Sequence, residues 1–561
     1  MGFWSTIAYK LKEVLSKMIG ANTIEKTLHV TPTISSQMEE AINLWSDMYK
    51  GKAPWLREPD FNDPTRIVSL GLPAMIASEK ARTALIEFES EITTPTEEVE
   101  VENPNYQEPQ PDAYGNIVPT TETPTIKEER PVTSTERATF LNDMYKKLKA
   151  KLRTQVEYGI AKGGLIIKPY VVANKSGEEE NAKQTYSIEW DFCQADSFYP
   201  IAFNSSGDIT EAAFLQTVAR KDVIYRRLEY HKWENNTVTI INKAYKSKNS
   251  ATLQDNTGVD LGQEVPLTEV PEWADLQPQT KIAPVSKPLF GYFKMPEANT
   301  IDTSSPLGVS GYSRAVNLIK DADMQYSRLL WEYEGGELAI DIDRNAFDFR
   351  ENGKDSGSMM SNLQRRLYRK VDIGVEGNTF NPYAPALRDS SYLQGLNSIL
   401  MRIEDVVALS RGTLSDAAAE ARTATELKIL KQRSYQENVD IQHALQTALE
   451  SAVYAANVYV TLYNIVGDVK IGPDGTPDNS TVGQYEMSFE WDDSLLTDVD
   501  SELSKRITLM NEGLVSKIEN RMWYFGETER QATEALQKIQ VENQRDMENS
   551  LIMNMNAMNQ Q

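Results

Sequence analysis

The feature that most constrains this chain is a helical pattern that continues from about Thr423 to Tyr463. At a rise of 1.5 Å per residue, about 40 residues of helix extend about 60 Å. This is far longer than the average helix of a globular domain. The pattern therefore predicts an extended module and favours a subunit of a large assembly.

Composition narrows the class of protein further. A chain of 561 residues is long enough for several structural modules. Lysine and arginine number 58 against 82 acidic residues, a formal net charge of -24. This balance argues against tight binding of nucleic acid through phosphate neutralisation. A like-charged wall would instead suit a channel through which DNA slides.

Cysteine content and hydropathy indicate the environment. Cys193 is the only cysteine, so no intrachain disulfide is possible and a reducing compartment such as the cytoplasm is expected. No apolar run approaches the roughly 18 to 20 residues needed to span a bilayer, so no membrane span is predicted. Residues 3–18 show helical spacing interrupted by lysines, which predicts a surface or docking helix.

Local motifs for catalysis are missing from the sequence. His29, His231 and His443 are isolated, and we expect them to have structural roles. No glycine-rich phosphate-binding loop of the Walker type is present. We therefore predict that the protein is not an enzyme, and we assign no catalytic residue, cofactor or metal.

Two pairs of aspartates leave a metal site open as an alternative. Asp321 and Asp323 form one pair, and Asp341 and Asp343 form the other. In a strand, the second pair would share one face. In a chain this acidic, solvated helix or strand faces explain such pairs more often than metal ligands do.

The order of segments predicts an α+β fold. Helical patterns begin at Ser35 and near Ser69, the second continuing to Phe88, and a Pro/Glu/Thr-rich stretch at 94–136 predicts a loop or a disordered insertion. A further helix stops at Gly163-Gly164, and short β-type segments follow from Tyr186 to Met295, with a loop expected from about 255 to 287.

A helix, a small β module and a second helix then follow in the sequence. Ser310 to Tyr333 predicts one helix, ended by Gly335-Gly336, and the β-type segment ELAIDID begins at once. The module at 345–385 contains the basic segment RRLYRK and the strand-like VDIGV. Ser390 to Ala408 predicts the second helix, and the small-residue segment SRGTLSDAAAEARTATE links it to the long helix.

Several of these segments carry a resemblance to a known family. The runs are GIAKGGLIIKPYV with IEWDFCQADSFYPIAF after it, GVSGYSRAVNLIKDADMQYSRLLWEYE, and LSRGTLSDAAAEARTATELKILKQRSY. In this order they resemble the portal proteins of tailed bacteriophages, in particular of siphophages that infect Gram-positive bacteria. The resemblance implies a dodecameric ring with wing, stem, clip and crown parts.

The family also implies a function, partners and a location. Such a ring would be the head-tail connector at the capsid portal vertex of the virion, through which double-stranded DNA is packaged and ejected. Its partners would be the large terminase subunit, a head-tail adaptor, and the major capsid and scaffolding proteins. Assembly would take place in the host cytoplasm, with no membrane involved.

The resemblance also implies a division of the chain into parts. These are a helical and β-rich wing at 1–309 with the insertion at 94–136, a first stem helix at 310–333, a clip at 334–389, a second stem helix at 390–408, a tunnel loop at 409–422, a long wing helix with a β segment at 423–497, and crown helices with a frayed C-terminus at 498–561.

Three groups of candidate site residues follow from this division. The channel-facing tunnel loop would present Arg411, Ser415, Asp416, Ala418 and Arg422. The clip would dock the adaptor or terminase through Arg365, Arg366, Arg369 and Lys370, and the stem interface would contain Trp331 and Tyr333. The plainer alternatives are an ordinary helix connection, a charged strand edge exposed to solvent, and aromatic packing within one chain.

Two other classes of protein remain open from the sequence. One is a different scaffold or coat-type structural protein, viral or nonviral. The other is a metal-dependent nuclease or hydrolase whose carboxylates meet only in the fold, with Asp321, Asp323, Asp341 and Asp343 as candidate ligands.

Overall fold

The computed structural model describes most of the chain, and the statements below concern those residues. They are 21–58, 66–86, 88–103, 125–175, 184–220, 223–248, 261–343, 368–371, 380–383, 385–416, 424–471, 477–478, 482–491, 499–527, 531–533 and 535–539. The predicted N-terminal helix at 3–18 lies outside them.

The helices lie close to the periodic segments of the sequence. In chain order they are α1 (Ala21–Leu28), α2 (Ser36–Tyr49), α3 (Leu72–Ala84), α4 (Glu136–Lys162), α5 (Val316–Gly335), α6 (Asp389–Val406), α7 (Ala424–Leu462), α8 (Val499–Asn511) and α9 (Lys517–Phe525). The predicted long helix is confirmed as α7, which has 39 residues.

The strands are most numerous between α4 and α5. In chain order they are β1 (Phe88–Thr93), β2 (Thr96–Glu102), β3 (Thr125–Pro131), β4 (Gly164–Lys175), β5 (Gln184–Gln194), β6 (Phe198–Phe203), β7 (Ile209–Arg220), β8 (Val223–Glu234), β9 (Thr237–Lys248), β10 (Gln263–Val265), β11 (Gln279–Ile282), β12 (Gly291–Lys294), β13 (Ala339–Asp343), β14 (Tyr368–Val371), β15 (Phe380–Tyr383), β16 (Lys470–Ile471), β17 (Pro477–Asp478) and β18 (Glu486–Trp491). The chain is therefore a mixed α+β protein, as predicted.

Two antiparallel sheets contain most of the described strands. One has the order β12-β4-β5, and the other has the order β10-β9-β8-β7-β6 with β11 also paired to β9. Smaller pairings are β14-β13-β15, β1-β18, β2-β3 and β16-β17. We call α4, the strands β4 to β12 and α7 the body.

The long helix lies directly on the first of these sheets. Ala448, Ala452 and Ala455 of α7 are fully buried, which lets the helix backbone approach β12 and β4 closely. A side chain at Gly291 of β12 would overlap the carbonyl oxygen of Ala448, so glycine is required at this contact. Close packing on β12 and β4 thus stabilises this part of α7.

The predicted stop of α4 is confirmed. Gly163 takes a left-handed conformation with φ of +94° and donates its N–H to the carbonyl of Gly159 at 2.8 Å. The chain then enters β4 directly, where Leu165, Ile166 and Ile167 are fully buried.

Two helix boundaries differ from the prediction. The helix near Ser69 ends at Ala84, and Phe88 begins β1 instead. The helix expected from Ser310 begins only at Val316, after a 3-10 turn at Ser313–Ala315. The reason is that the N–H of Gly311 donates to Ile160 at the end of α4, which ties residues 310–312 to the body.

Two predicted loops contain ordered structure. Residues 96–102 and 125–131 pair as the antiparallel hairpin β2–β3, so the loop prediction for 94–136 is wrong for these strands. The stretch expected to be a loop up to Lys287 contains β10 and β11. It also contains a small core in which Val270 and Trp273 are buried against Ala244. The polar composition of both stretches favoured a loop prediction. The alternating valines of β2 and the single tryptophan of the small core were signals too weak to change it.

The chain divides into two compact units, Met1–Trp491 and Asp492–Gln561. Within the second unit, α8 and α9 pack together, and Ser516 caps α9 in a reciprocal capping box with Glu519. The guanidinium of Arg506 lies 4.4 Å from the centre of the Trp523 ring. Helical structure near Ala532 and Ile539 agrees with the sequence pattern. None of the described helices is long and apolar enough to cross a membrane.

Candidate functional site

Helices α5 and α6 form an antiparallel pair, which we call the helix pair. Glu332 and Gly336 near the end of α5 contact Arg388 and Leu387 just before α6, whereas Gln325, earlier in α5, lies beside Gly395 of α6. The small sheet β14-β13-β15 is connected at this end. Its central strand β13 runs parallel to β14 and antiparallel to β15. The predicted succession of helix, β module and returning helix is confirmed.

An ion pair closes the end of the helix pair nearest the small sheet. Arg388 donates from Nη2 and Nε to the two carboxylate oxygens of Glu332, at 2.7 and 3.1 Å, and its backbone N–H donates at 3.1 Å. These hydrogen bonds hold the pKa of Glu332 below its usual value. This ion pair holds the end of α5 next to the start of α6.

The helix pair and its ends expose large apolar side chains. The exposed fraction is 68% for Trp331, 39% for Tyr333, 57% for Leu338, 43% for Leu387 and 47% for Leu393. The alternative that the two aromatic residues pack within one chain is therefore wrong for Trp331. Exposed apolar side chains gathered in one region are typical of an interaction surface.

The other end of α5 is anchored to the N-terminal module. The buried carboxylate of Asp323 accepts from Trp55 Nε1 at 3.0 Å and from the N–H of Leu70 at 2.8 Å. Burial raises the pKa of Asp323, and these two donors oppose that rise. Asp321 is exposed, because residues two apart on a helix fall on nearly opposite faces. The two aspartates do not form a shared metal site.

A buried carboxylate organises the connection that follows α6. Glu404 accepts from the N–H of Leu414 at 2.5 Å, from the N–H of Ser415 at 2.8 Å and from Ser415 Oγ at 2.7 Å. Ala408 takes a left-handed conformation with φ of +55° at the end of α6. Residues 408–416 are therefore a defined turn held to the helix. In the sequence, the only sign of this turn was Glu404 itself, an acidic residue within the otherwise apolar stripe of α6.

The proposed tunnel-loop residues fall into different environments. Ser415 is buried and bonded to Glu404, so the prediction that its side chain faces a channel is wrong. Arg411 is exposed and pairs with Asp405 through contacts of 2.8 and 3.2 Å. The N–H of Asp416 donates to Asn397 at 2.9 Å. Ala418 and Arg422 lie outside the described residues.

The basic segment is itself part of a strand. Arg369 and Lys370 lie in β14, at the edge of the small sheet, whereas VDIGV was predicted to be the strand. Adjacent strand residues lie on opposite faces, so these two positions do not share a face. Arg365 and Arg366 lie outside the described residues. Asp341 and Asp343 lie in β13, two residues apart and hence on one face, as predicted.

A second group of charged side chains lies inside the body and was not predicted. Lys168 contacts Glu229 at 2.7 Å, Arg227 contacts Glu229 at 2.8 Å, and His231 Nε2 lies 2.7 Å from the same carboxylate. Burial alone would raise the pKa of Glu229, but Lys168, Arg227 and His231 outweigh it and hold this pKa well below the usual value. Burial lowers the pKa of His231.

Lys168, Arg227 and Glu229 of this cluster line a small cavity of about 150 Å³ together with Asp191. Because Lys168 and Arg227 are balanced by Glu229 and Asp191, the cavity has no net charge with which to select an ion. The cluster acts as internal pairing between β4, β5 and β8. His231 has the structural role expected for it.

Comparison with known proteins adds no assignment. Among the described residues, no group of three or more histidine, cysteine, aspartate or glutamate side chains is placed to hold a metal ion. No model of a known protein family matches the chain, and no curated protein matches it.

Proposed function

We propose that this protein is the ring-forming portal subunit of a tailed bacteriophage and forms the channel for DNA packaging and ejection. The observation that carries the proposal is the antiparallel helix pair with its small sheet at one end and exposed apolar side chains along it. At the other end, a defined turn leads towards the 39-residue helix α7. The resemblance in sequence assigns these parts to stem, clip, tunnel loop and wing.

The exposed surface of the helix pair supports assembly into a ring. Trp331, Leu338 and Leu393 remain largely open to solvent in the single chain. Contacts between two different patches of neighbouring subunits, repeated around an axis, close into a ring. Burying these side chains against a neighbour removes apolar area from water and so stabilises that contact. Twelve subunits is the number expected from the family.

The charge of the chain supports passage of DNA. A net charge of -24 disfavours tight binding to phosphates. Arg411 is already paired with Asp405, so it offers weak phosphate contact at most. Asp416 and Arg422 would also face the channel as parts of the tunnel loop. In the clip, Arg365, Arg366, Arg369 and Lys370 would contact acidic surfaces of terminase or the adaptor.

The alternative proposals receive less support. A metal-dependent nuclease would need carboxylates that converge, and Asp323 is instead occupied by two protein donors. Incubating plasmid DNA with the protein and Mg²⁺ or Mn²⁺ tests this directly, because cleavage would favour the nuclease. A different scaffold or coat-type protein would share the long helices, and ring formation separates it from a portal subunit.

The first test is the assembly state. Negative-stain electron microscopy and native mass spectrometry of the purified protein should find rings with a central channel and a mass near twelve subunits. If the protein stays monomeric or dimeric, also after addition of capsid and scaffolding proteins, the proposal is wrong.

The tunnel loop is tested in a DNA-packaging reaction. Replacing Ala418 with tryptophan should narrow the channel and reduce the length of packaged DNA. Ala274→Trp, at an exposed position of the body, is the matched control and should package normally. Equal packaging by both variants would contradict the assignment of the loop.

A further inference from the structure

The hairpin β2–β3 carries an acidic face that its own residues do not balance. The register places Glu98 opposite Glu129 and Glu100 opposite Lys127, and alternation along β2 adds Glu102 to this face. Lys127 pairs with Glu98 at 2.7 Å. Lys127 also interacts electrostatically with Glu100, whereas no described basic side chain forms an ion pair with Glu102 or Glu129. Like charges directly opposite one another destabilise a strand pair.

The hairpin also lacks a core of its own. No residue of β2 is buried, and Val99 and Val101, on the other face, are only half-buried. A two-stranded hairpin without further packing is marginally stable in water. The ion pairs of the hairpin, Lys127–Glu98 and Arg130–Glu128, are both internal. A surface of opposite charge would stabilise it.

The chain carries such a surface on α4. Lys146, Lys147, Lys151 and Arg153 are all exposed. Lys146 and Lys147 have weak acidic partners within the chain, at 3.3 and 3.4 Å, whereas no described acidic side chain pairs with Lys151 or Arg153. Lys147 and Lys151 are four residues apart and therefore share one stripe, which we call the basic stripe, whereas Arg153 lies nearly opposite Lys151. This basic stripe is unusual in a chain with a net charge of -24.

We propose that the acidic face of the hairpin in one copy binds the basic stripe of α4 in a neighbouring copy. The inference rests on the proposed ring, in which two different patches of the same chain meet at every interface. Opposite charges across such an interface also fix the register of neighbours and suppress wrong contacts. The partner that the acidic face of the hairpin binds is thus a second copy of this chain.

Charge exchange tests the contact. The hairpin variant Glu98→Lys/Glu100→Lys/Glu129→Lys and the helix variant Lys147→Glu/Lys151→Glu should each reduce the fraction of rings about tenfold or more at a fixed concentration. The chain that carries both sets of changes should recover ring formation. Because all five positions are exposed, the variants should keep the wild-type circular dichroism spectrum and melting temperature.

A matched control separates a specific contact from a general charge effect. Glu234→Lys/Glu264→Lys/Asp275→Lys makes the same change in net charge at exposed positions of the body and should leave ring formation unchanged. If this control weakens assembly as much as the hairpin variant does, or if the combined chain does not recover, the proposed contact is wrong.

Cross-linking identifies the partner copy. Subunits labelled with ¹⁴N and ¹⁵N are mixed before assembly and treated with a carbodiimide, which joins carboxylates to lysines. Peptides from 96–131 joined to peptides from 146–153 should contain both isotopes. Cross-links within one isotope alone would overturn the proposal. If the wild-type chain forms no ring, the proposed function fails; if it forms rings without mixed cross-links, only this contact fails.

Discussion

The body and the helix pair differ in how their side chains are accommodated within one chain. In the body, buried charges find partners within the chain: Arg137 makes two contacts of 2.6 Å with Asp468, and Glu229 accepts from three cationic or imidazole groups. At the helix pair and the segment that follows α5, Trp331 and Leu338 leave more than half of their surface in water. Most buried charges of the body thus have partners within one chain, although Arg227 Nε and His231 Nδ1 have none among the described residues, whereas large apolar side chains at the helix pair are exposed.

The largest effect on the folding of one chain is expected at Glu229. Glu229→Gln leaves Lys168 and Arg227 buried without their shared carboxylate, and such a change costs about 3–5 kcal/mol. Urea unfolding of the dilute monomer measures it. Glu234→Gln, which breaks an exposed pair with Lys232, should cost no more than about 1 kcal/mol. Equal costs for the two variants would contradict a body held by internal charge pairing.

The next effect concerns the contact between the sheet and α7. Gly291→Ala forces β12 away from Ala448, and overpacking of this kind costs about 1–3 kcal/mol. The control is Gly335→Ala at the end of α5, where an added methyl group meets nothing within 4 Å. The free energy of unfolding should fall for the first variant only. No change at Gly291 would mean that α7 does not pack closely on the sheet.

A smaller effect on folding, with a large effect on assembly, is expected in the helix pair. Trp331→Ala should change the stability of the monomer by no more than about 0.5 kcal/mol, because the side chain is largely exposed. It should weaken ring assembly about tenfold or more if Trp331 is an interface anchor.

Tyr170→Ala on β4 removes an aromatic side chain of 45% exposure and serves as the control, which should assemble normally. Sedimentation velocity over a range of concentrations measures both variants. If Trp331→Ala destabilised the monomer but left assembly intact, Trp331 would contribute to the folding of one chain and not to an interface, and the proposed contrast would be wrong.

The smallest effect is a pH dependence at the anchor of α5. Because the pKa of Asp323 is raised in the folded chain, the folded state binds this proton more tightly than the unfolded state does. Between the unfolded pKa, about 3.9, and the higher folded value, this group makes stability rise as the pH falls. On acidification, the free energy of unfolding of the wild type should therefore rise relative to that of Asp323→Asn.

Segments with a strong period were predictable from the sequence. The 39 residues of α7, the stop at Gly163 and the return of the chain through α6 all follow from spacing and from local turn chemistry. Pairings between distant residues were not predictable. Strand β1 pairs with β18 about 400 positions further on, and nothing local to Phe88 indicates that partner. The hairpin β2–β3 was hidden by a composition typical of loops.

The candidate site shows the same limit. Trp331 and Arg411 are exposed, as amphipathic patterns and short turns indicate, and their interface and channel roles stay predictions. Ser415 is instead buried, since its environment depends on Glu404, eleven residues earlier. A buried carboxylate that accepts from a later turn leaves no periodic signal.

The single cysteine has a practical consequence. Burial and the carboxylate of Asp191 raise the pKa of the Cys193 thiol, so the reactive thiolate is scarce at neutral pH. A cysteine introduced at the exposed position of Arg411 would therefore be the thiol that a maleimide dye modifies quickly. Site-specific fluorescence measurements on this turn can thus be made in the otherwise native sequence, without first removing a competing label site.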